Sequence, residues 1–412
     1  MTVTIQELTN HSYIDHELSA TLDSSEAFEG PEKLLEIWFY PSAASVPKGA
    51  DGVSRCSLRD IAFEKWVAIL KLVKCEVLSI KSTEKMDAFL LSESSLFVCD
   101  HKLTLKTCGT TTTLFCLEEL FRIVQEELKW DMRATAAYQE KDQGQYHPYK
   151  VFYSRRCFMF PLKQRSIHKR WTDEIEYLNK FFCHGSSYLV GRSDQSNHWN
   201  LYVTETNKAI EEIEDSASDE DEDETLEILM TGLDPKCAQQ FVCKREVKTV
   251  QESQEDTNTS EDEGHLLGYK MTNSTKLDKV YNNSNNVSFH HDAFAFTPCG
   301  YSSNIVLDEQ YYYTLHVTPE KGWSYASFES NVPVEQVSSK SQDNVSVVNH
   351  VLSVFQPKDV CLTFFSKSME NDSFQKLMKL TKLANYAKKD RIIYDLDDYH
   401  LLYIRFERTS NY

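Results

Sequence analysis

Short segments rich in aromatic and β-branched residues recur along this chain, and they constrain its fold more than any other feature. Several of them follow one another directly, which favours antiparallel pairing because parallel strands need long crossover connections. The pattern therefore predicts an α+β protein with largely antiparallel sheets rather than a doubly wound parallel sheet. The predicted strands are CEVLSI, AFLLSESSLFV, KLTLKT, YKVFYS, SYLVGR, HWNLYVTE, YYYTLHV, WSYASFES, VCLTFF and LLYIRFER.

Three segments have helical rather than strand-like spacing. Pro31 to Phe39 is predicted to be a helix with proline in its first turn. Asp60 to Lys74 predicts a stronger helix with Ser57 as its cap, and Thr111 to Leu128 predicts a third. The inner faces expected for the last two are Ile61, Trp66, Ile69, Leu70 and Val73, and Leu117, Leu120, Phe121, Val124 and Leu128.

The charge of the chain is concentrated in two segments. Its 412 residues are 41% hydrophobic, enough for one large α+β domain or two smaller ones, and the net charge is −19. Glu211 to Glu224 holds ten acids and no base, and Gln251 to Gly264 holds six acids and no base. We expect disordered acidic insertions at about 211–222 and 251–264, and a flexible N-terminal extension over 1–26. The remainder is nearly balanced, so composition favours neither nucleic acid nor membrane as a partner.

The eleven cysteines are scattered singly and form no C-x-x-C pair. This argues against a zinc ribbon or a disulfide scaffold, and we expect no metal site. The first residues, MTVTIQELTN, lack the basic start and apolar core of a signal peptide, and no apolar stretch approaches the length of a membrane span. We therefore expect a reducing, cytoplasmic environment.

Polar clusters inside apolar segments are the remaining candidates for chemistry, since the familiar catalytic and phosphate-binding motifs are missing. FLLSESSLFV, Phe89 to Val98, places four polar residues within an apolar run, and LKTCGTTTT, FTPCGYSSN and YTLHVTPE are similar. Each has a structural explanation: Cys108 as a core thiol, Ser302 as a turn residue, His316 as a hydrogen-bonded strand histidine, and Glu93 to Ser95 as a strand end.

Six motifs, in order, resemble the eukaryotic, fungal-type S-adenosylmethionine decarboxylase proenzyme family. They are FEGPEKLLEIWF, LSESSLFV, LKTCGTT, TLEILM, PCGYS and HVTPE followed by WSYASFE, and the resemblance runs from Phe28 to Arg408. It implies a four-layer αββα sandwich of two antiparallel sheets, a single domain over 27–412. It also implies a lyase made as a zymogen, which cuts itself into a small chain, 1–93, and a large chain, 94–412.

The resemblance implies a chemical role for the first polar cluster. Ser94 would attack the carbonyl of Glu93, and elimination and hydrolysis would leave a pyruvoyl cofactor at position 94. His316 resembles the family's base for the elimination, and Ser302 the hydroxyl that assists processing. The pyruvoyl ketone would form a Schiff base with the substrate amine and act as an electron sink for decarboxylation, with Cys108 as the proton donor.

The resemblance further implies two binding sites. For S-adenosylmethionine it implies aromatic rings that sandwich the adenine, a carboxylate on the ribose and acids near the reacting group; these are Phe28, Phe296, Glu320, Glu29, Glu32 and Glu93. Activation by putrescine is expected at a buried charged network made of Glu36, Lys106, Asp223, Glu227 and Glu329. Thr225 and Phe365 are expected to line the same place. Members of the family are monomers or homodimers of two-chain protomers, and the sequence leaves both open.

Two other functions stay open at this point. One is a catalytically inactive family member acting as a regulatory subunit, which should lack Ser94, Cys108 or His316, whereas all three are present. The other is an interaction protein that recruits partners through its acidic segments.

Overall fold

The computed structural model describes residues 13–14, 28–49, 56–134, 144–193, 198–211, 223–243, 263–281, 287–338 and 342–409. These fall into two compact units: the described parts of 31–77 and 82–220, and those of 12–30, 78–81 and 221–412. Most of the predicted extension 1–26 and of the predicted insertions lies outside the described residues. The exceptions are Tyr13–Ile14, which pairs as a strand, and Glu211, Glu263 and Gly264, which are helical. The single domain expected over 27–412 stays a prediction.

The first sheet has nine strands among the described residues, in the order β1-β3-β4-β5-β6-β2-β7-β9-β8. Pairing is antiparallel across β4, β5, β6, β2, β7, β9 and β8. Its strands are β1 Tyr13–Ile14, β2 Lys33–Trp38, β3 Val77–Ser82, β4 Met86–Leu91, β5 Ser94–Cys99, β6 Lys102–Thr107, β7 Lys150–Arg156, β8 Gly185–Val190 and β9 Trp199–Thr204.

The helix predicted over Pro31 to Phe39 is wrong, because these residues form the central strand β2 between β6 and β7. Leu35, Ile37 and Phe39 are fully buried at every second position. That period of two is the pattern of a strand with one face packed inward. Leu34, Leu35 and Trp38 imitate helical spacing only because both faces of a central strand carry apolar residues.

The other two predicted helices are confirmed, with shorter bounds: α1 Phe63–Val73 and α2 Leu117–Glu126. All ten of their predicted inner-face side chains are buried. Ser57 does not cap α1; it precedes a 3-10 turn at Leu58–Asp60, and its N–H donates to Asp60 Oδ2 at 2.6 Å. Residues Thr113–Cys116 are likewise a 3-10 turn before α2. The first unit also contains α3 Trp171–Phe181 and α4 Lys208–Glu211.

The second sheet also has nine strands among the described residues, in the order β11-β12-β13-β14-β10-β15-β18-β17-β16, with antiparallel pairing throughout. Its strands are β10 Glu224–Thr231, β11 Phe289–Ala295, β12 Tyr301–Leu307, β13 Tyr311–Thr318, β14 Tyr325–Ser330, β15 Asp359–Ser366, β16 Lys382–Leu383, β17 Tyr386–Asp395 and β18 His400–Arg408. The helices of this unit are α5 Pro235–Ala238, α6 Glu263–Thr275, α7 Val334–Val337, α8 Asn344–Phe355 and α9 Asp372–Lys379.

The two faces of the second sheet differ in chemistry. One face belongs to the apolar core, in which strand residues such as Ile228, Leu315 and Phe328 pack with α8 residues such as Val351. Side chains on the opposite face line up across neighbouring strands by register and form what we call the polar row: Asn304, Thr314, Glu329, Glu227 and Thr363. Each of these five side chains is buried, so the row needs internal partners.

The prediction of an α+β fold with two antiparallel sheets is confirmed. All ten predicted strand segments contain strands, although one contains two. Seven of the strands among the described residues were not predicted as strands: β1, β2, β10, β11, β12, β16 and β17. Among the residues described, we find no helix with the length and apolar character that crossing a membrane requires.

Candidate functional site

Phe89 to Val98 is a hairpin and not one strand. β4 ends at Leu91, β5 begins at Ser94, and these two residues pair across the turn formed by Ser92 and Glu93. Ser92 and Glu76 are joined by two hydrogen bonds. The Ser92 N–H donates to the Glu76 carbonyl oxygen at 2.9 Å, and the Glu76 N–H donates to the Ser92 hydroxyl at 3.0 Å. The polar residues within the apolar run are therefore at, or next to, a chain reversal.

Ser94 is strained and its hydroxyl is buried. Its φ angle is +121°, a region that glycine adopts freely and that side chains with a β-carbon rarely adopt. The residue is 1% exposed, and Ser94 Oγ has no hydrogen-bond partner among the described residues. Strain costs roughly 1–3 kcal/mol, and an unsatisfied buried hydroxyl costs a similar amount. Both costs fall on one residue, which marks it as a functional candidate.

Glu93 faces Cys108 through both its backbone and its side chain. Its carbonyl oxygen accepts the N–H of Cys108 at 3.0 Å, which polarises the peptide bond between Glu93 and Ser94. Cys108 Sγ is 3.9 Å from Glu93 Oε2. Burial raises the pKa of the Glu93 carboxyl to about 7, although the nearby Lys33 cation and the Cys108 thiol oppose the shift.

Cys108 is a protonated thiol at neutral pH. Burial raises its pKa well above the ordinary value of 9, and the negative charges of Glu93 and Glu32 add to the shift. Such a thiol is a weak nucleophile and a poor metal ligand, but it holds a proton that it can donate. The core-thiol interpretation explains its burial; it does not explain why two carboxylates lie near it.

The turn that carries Cys108 is fixed by buried donors. Thr111 Oγ1 donates to the Cys108 carbonyl at 2.7 Å. The Gly109 carbonyl accepts Lys33 Nζ at 3.3 Å and Gln164 Nε2 at 3.1 Å, and Gly109 itself has a φ of +62°. Sequence reasoning missed Lys33 and Gln164. A lysine beside Glu32 in a buried strand was a usable signal, but the wrong helix assignment hid it.

Ser302 and His316 lie opposite each other on β12 and β13 of the second unit. Ser302 is a strand residue and not a turn residue. His316 Nδ1 is 2.9 Å from Ser302 Oγ, and His316 Nε2 is 2.9 Å from Thr314 Oγ1. His316 is thus hydrogen-bonded within its sheet, as the structural explanation expected, but one of its partners is the other predicted processing residue.

The residues expected around the substrate are distributed over both units. In the second unit, the Phe28 N–H donates to Glu320 Oε1 at 3.4 Å, and burial raises the pKa of the Glu320 carboxyl. Phe296 packs edge-on against Phe294, with ring centroids 4.9 Å apart. Glu29, in the second unit, and Glu32, in the first, are both buried.

Four of the residues expected to bind putrescine lie on one face of the second sheet, and a fifth immediately precedes β10. Glu227 and Glu329 are directly opposite each other on β10 and β14, and Thr225 is opposite Phe365. Tyr312 donates its hydroxyl to Glu329 at 2.8 Å, and Thr363 donates to Glu227 at 3.4 Å.

The fifth of these residues, Asp223, accepts the Tyr399 hydroxyl at 2.6 Å. In the first unit, Glu36 is diagonal to the fully buried Lys106 on the neighbouring strand and accepts the Trp38 indole N–H. Within the described part of the chain, no group of three or more His, Cys, Asp or Glu side chains is arranged to hold a metal ion.

Comparisons with known proteins agree on one family. The family model described as adenosylmethionine decarboxylase matches residues 25–407. The S-adenosylmethionine decarboxylase proenzyme of Saccharomyces cerevisiae is 60% identical over 99% of this chain and 100% of its own, and that of Xenopus laevis is 32% identical over 93% and 96%.

A solved structure, the Trypanosoma brucei AdoMetDC-delta26 monomer, covers 76% of this chain and 99% of its own with 19% identity. The TM-score of this match is 0.49.

Proposed function

The chain belongs to the adenosylmethionine decarboxylase family, and from this premise we propose that it decarboxylates S-adenosylmethionine after cutting its own backbone between Glu93 and Ser94. The product is the aminopropyl donor for spermidine and spermine synthesis. The single observation that carries the proposal is the state of Ser94: a strained backbone and a buried, unpartnered hydroxyl beside a carbonyl held by the Cys108 N–H.

The first proposed step converts the peptide bond into an ester. Ser94 Oγ adds to the carbonyl carbon of Glu93, the carbon–nitrogen bond breaks, and the nitrogen remains on Ser94 as an amine. The Cys108 N–H, already 3.0 Å from the carbonyl oxygen, would stabilise the negative charge that develops there. Release of the +121° φ constraint would favour the forward direction.

The second proposed step eliminates the ester. A base removes the Ser94 α-proton, the bond between Cβ and the ester oxygen breaks, and the electron pair leaves with the Glu93 carboxylate. Hydrolysis of the resulting dehydroalanine releases ammonia and leaves a pyruvoyl group at position 94. We assign the base to His316, assisted by Ser302, because their 2.9 Å contact joins a proton acceptor to a hydroxyl.

The residues around position 94 fit the pyruvoyl group, since a serine with an unpartnered hydroxyl is its chemical precursor. The group supplies an electron sink for decarboxylation when it is formed. Cys108 would donate a proton to the substrate carbon, because its thiol keeps that proton at neutral pH. Glu93 and Glu32 raise the pKa of that thiol and so keep it in the acid form.

We assign substrate binding to residues whose side chains have the required chemistry. Phe28 and Phe296 would sandwich the adenine, which aromatic faces favour. Glu320 would accept the ribose hydroxyls, and its orientation is supported by the Phe28 N–H. Glu29 and Glu32 would act near the reacting group, where buried carboxylates can hold a cationic substrate.

Putrescine is the activator we propose. Glu227 and Glu329 are buried on opposing positions, where side chains are about 5 Å apart, so like charges there repel. A diamine would gain affinity by neutralising such carboxylates. Asp223, Thr225 and Phe365 would complete this part of the site, and Glu36 and Lys106 of the first sheet are the other residues that we propose for putrescine binding.

The proposed setting is the cytoplasm, which the eleven free thiols support. The proposed assembly is a two-chain protomer, alone or as a homodimer.

Mass spectrometry of the purified protein tests the proposed function. We expect two fragments, 1–93 and 94–412, with the larger beginning in pyruvoyl, and an intact chain for Ser94→Ala. Decarboxylation of carboxyl-labelled S-adenosylmethionine should accompany the cut. A parental chain that stays whole under native conditions would contradict the proposal and favour the inactive, regulatory alternative.

A further inference from the structure

A buried threonine lies on the side of the His316 ring away from Ser302. We propose that Thr314 is a positioning residue: its hydroxyl holds His316 in the tautomer with the proton on Nε2, so that the Nδ1 lone pair faces Ser302. This inference rests on the proposed role of His316 in processing, and it concerns a residue to which the family resemblance assigns no role.

The Thr314 hydroxyl has a single proton, and two oxygen atoms other than the histidine ring are placed to accept it. Thr314 Oγ1 donates to the Ser303 carbonyl at 2.9 Å and to Asn304 Oδ1 at 3.0 Å, and both partners accept. Pointing that proton at His316 Nε2, 2.9 Å away, would leave two contacts between acceptor oxygens without a proton, so the geometry favours Thr314 as the acceptor of an Nε2 proton. A neutral imidazole carries one proton, so Nδ1 is left as the acceptor of the Ser302 hydroxyl.

The position of Thr314 makes this arrangement rigid. Thr314 is fully buried in β13, in the polar row between Asn304 and Glu329. A β-branched side chain has few χ1 rotamers in a strand, so its hydroxyl cannot turn away at low cost. Burial also disfavours water as a substitute acceptor, which makes the hydroxyl hard to replace.

The tautomer decides whether the pair can work as a base. With the proton on Nε2, the Nδ1 lone pair can accept the Ser302 hydroxyl proton while Ser302 Oγ takes the Ser94 α-proton in the proposed elimination. With the proton on Nδ1, the ring would donate to Ser302 and could not accept a proton there. The aspartate of the catalytic triad in serine proteases fixes the tautomer of its histidine in a comparable way.

Nitrogen-15 NMR of the imidazole tests the tautomer without any cleavage. In a Ser94→Ala chain, which stays intact, we expect His316 Nδ1 to show a pyridine-type shift and Nε2 a pyrrole-type shift. The signals among the thirteen histidines are assigned by their loss in His316→Gln. Adding Thr314→Val should move the population towards the Nδ1–H form. Protonation on Nδ1 in the Thr314-containing chain would overturn the inference.

Cleavage kinetics test the consequence. We expect Thr314→Val to process roughly tenfold more slowly, the factor that corresponds to one lost hydrogen bond. The uncut chain should accumulate as the ester, which hydroxylamine splits into two fragments. Thr314→Ser should restore most of the rate. The matched control is Thr275→Val, because Thr275 is a buried threonine of the same unit whose hydroxyl bonds only to helix carbonyls.

The outcomes separate the inference from the proposed function. Parental cleavage rates in Thr314→Val, or equal slowing in Thr314→Ser, would overturn the inference and leave the proposed function intact. A parental chain that never cuts would overturn the proposed function, whereas the imidazole spectrum of the intact chain would still test the role of Thr314. That spectrum also decides the question if Thr314→Val does not fold.

Discussion

Glu93→Gln, introduced into the uncut Ser94→Ala chain, is expected to remove a pH-dependent loss of stability. The folded-state pKa of this carboxyl is about 7, above its ordinary value of 4.5, and burial is the main cause. Between those two values the carboxyl is protonated in the folded chain and ionised in the unfolded chain. The unfolded state then binds fewer protons, so the free energy of unfolding falls as pH rises through this window.

The size of the effect follows from the shift. A rise from 4.5 to about 7 corresponds to about 3 kcal/mol of unfolding free energy, since each pKa unit is worth about 1.4 kcal/mol. Below pH 4.5 the carboxyl is protonated in both states, and above pH 7 it is ionised in both, so the contribution is constant outside the window. Glutamine has no charge to lose and contributes no such slope.

Urea denaturation followed by far-ultraviolet circular dichroism, at intervals from pH 4 to pH 8, measures the difference between the two chains. Other titrating groups are shared and cancel in that difference. Glu176→Gln, on an exposed position of α3, controls for the removal of a carboxylate as such. A difference between the Glu93 and Gln chains that stays constant from pH 4.5 to 7 would refute the reasoning.

Three further predictions concern neighbouring features. Ser94→Gly should give an uncut chain about 1 kcal/mol more stable than Ser94→Ala, since glycine tolerates a φ of +121°; equal urea midpoints would argue against strain. Cys108→Ala should still be cut, as mass spectrometry would show, but should lose at least a hundredfold in decarboxylation rate; unchanged turnover would exclude the thiol as proton donor. Glu329→Gln should abolish the response of processing or decarboxylation rates to putrescine while Glu370→Gln, exposed after β15, keeps it; a retained response would remove Glu329 from that site.

The strands could be predicted where apolar and β-branched residues dominate. The central strand β2 could not, because its apolar residues also fit the spacing of a helix. Leu34 to Trp38 has apolar residues on both faces, and such a run fits either period over five residues. Its identity as a strand comes from β6 and β7 on either side, which is tertiary information. The same holds for Phe89 to Val98, where only the pairing of Leu91 with Ser94 shows two strands.

The family resemblance proposes the candidate site as a set of residues, but the sequence does not predict how those residues are arranged. Spacing cannot show that Cys108 donates its N–H to the Glu93 carbonyl, because the two are joined through pairing of β5 with β6. Nor could it identify Gln164, which comes from a loop 55 residues after Gly109. Thr314 lies two residues before His316 in the sequence, but its proposed role depends on which atoms accept its hydroxyl proton, and only the structure shows these.

The features of the hairpin that oppose stability are also the ones that cutting would remove. The uncut chain holds Ser94 at a φ of +121° with its hydroxyl unpartnered, and each cost is roughly 1–3 kcal/mol. On the proposed function, the cut frees the backbone at this point and the Ser94 oxygen leaves with the Glu93 carboxylate, so that Cβ becomes a methyl group and Cα the ketone carbon; both costs therefore end together. The surrounding sheet, in which β5 is paired with β4 and β6 on its two sides, is what allows one residue to remain strained until then. Polar residues in an apolar run therefore persist here because the fold tolerates a local loss of stability that the reaction uses.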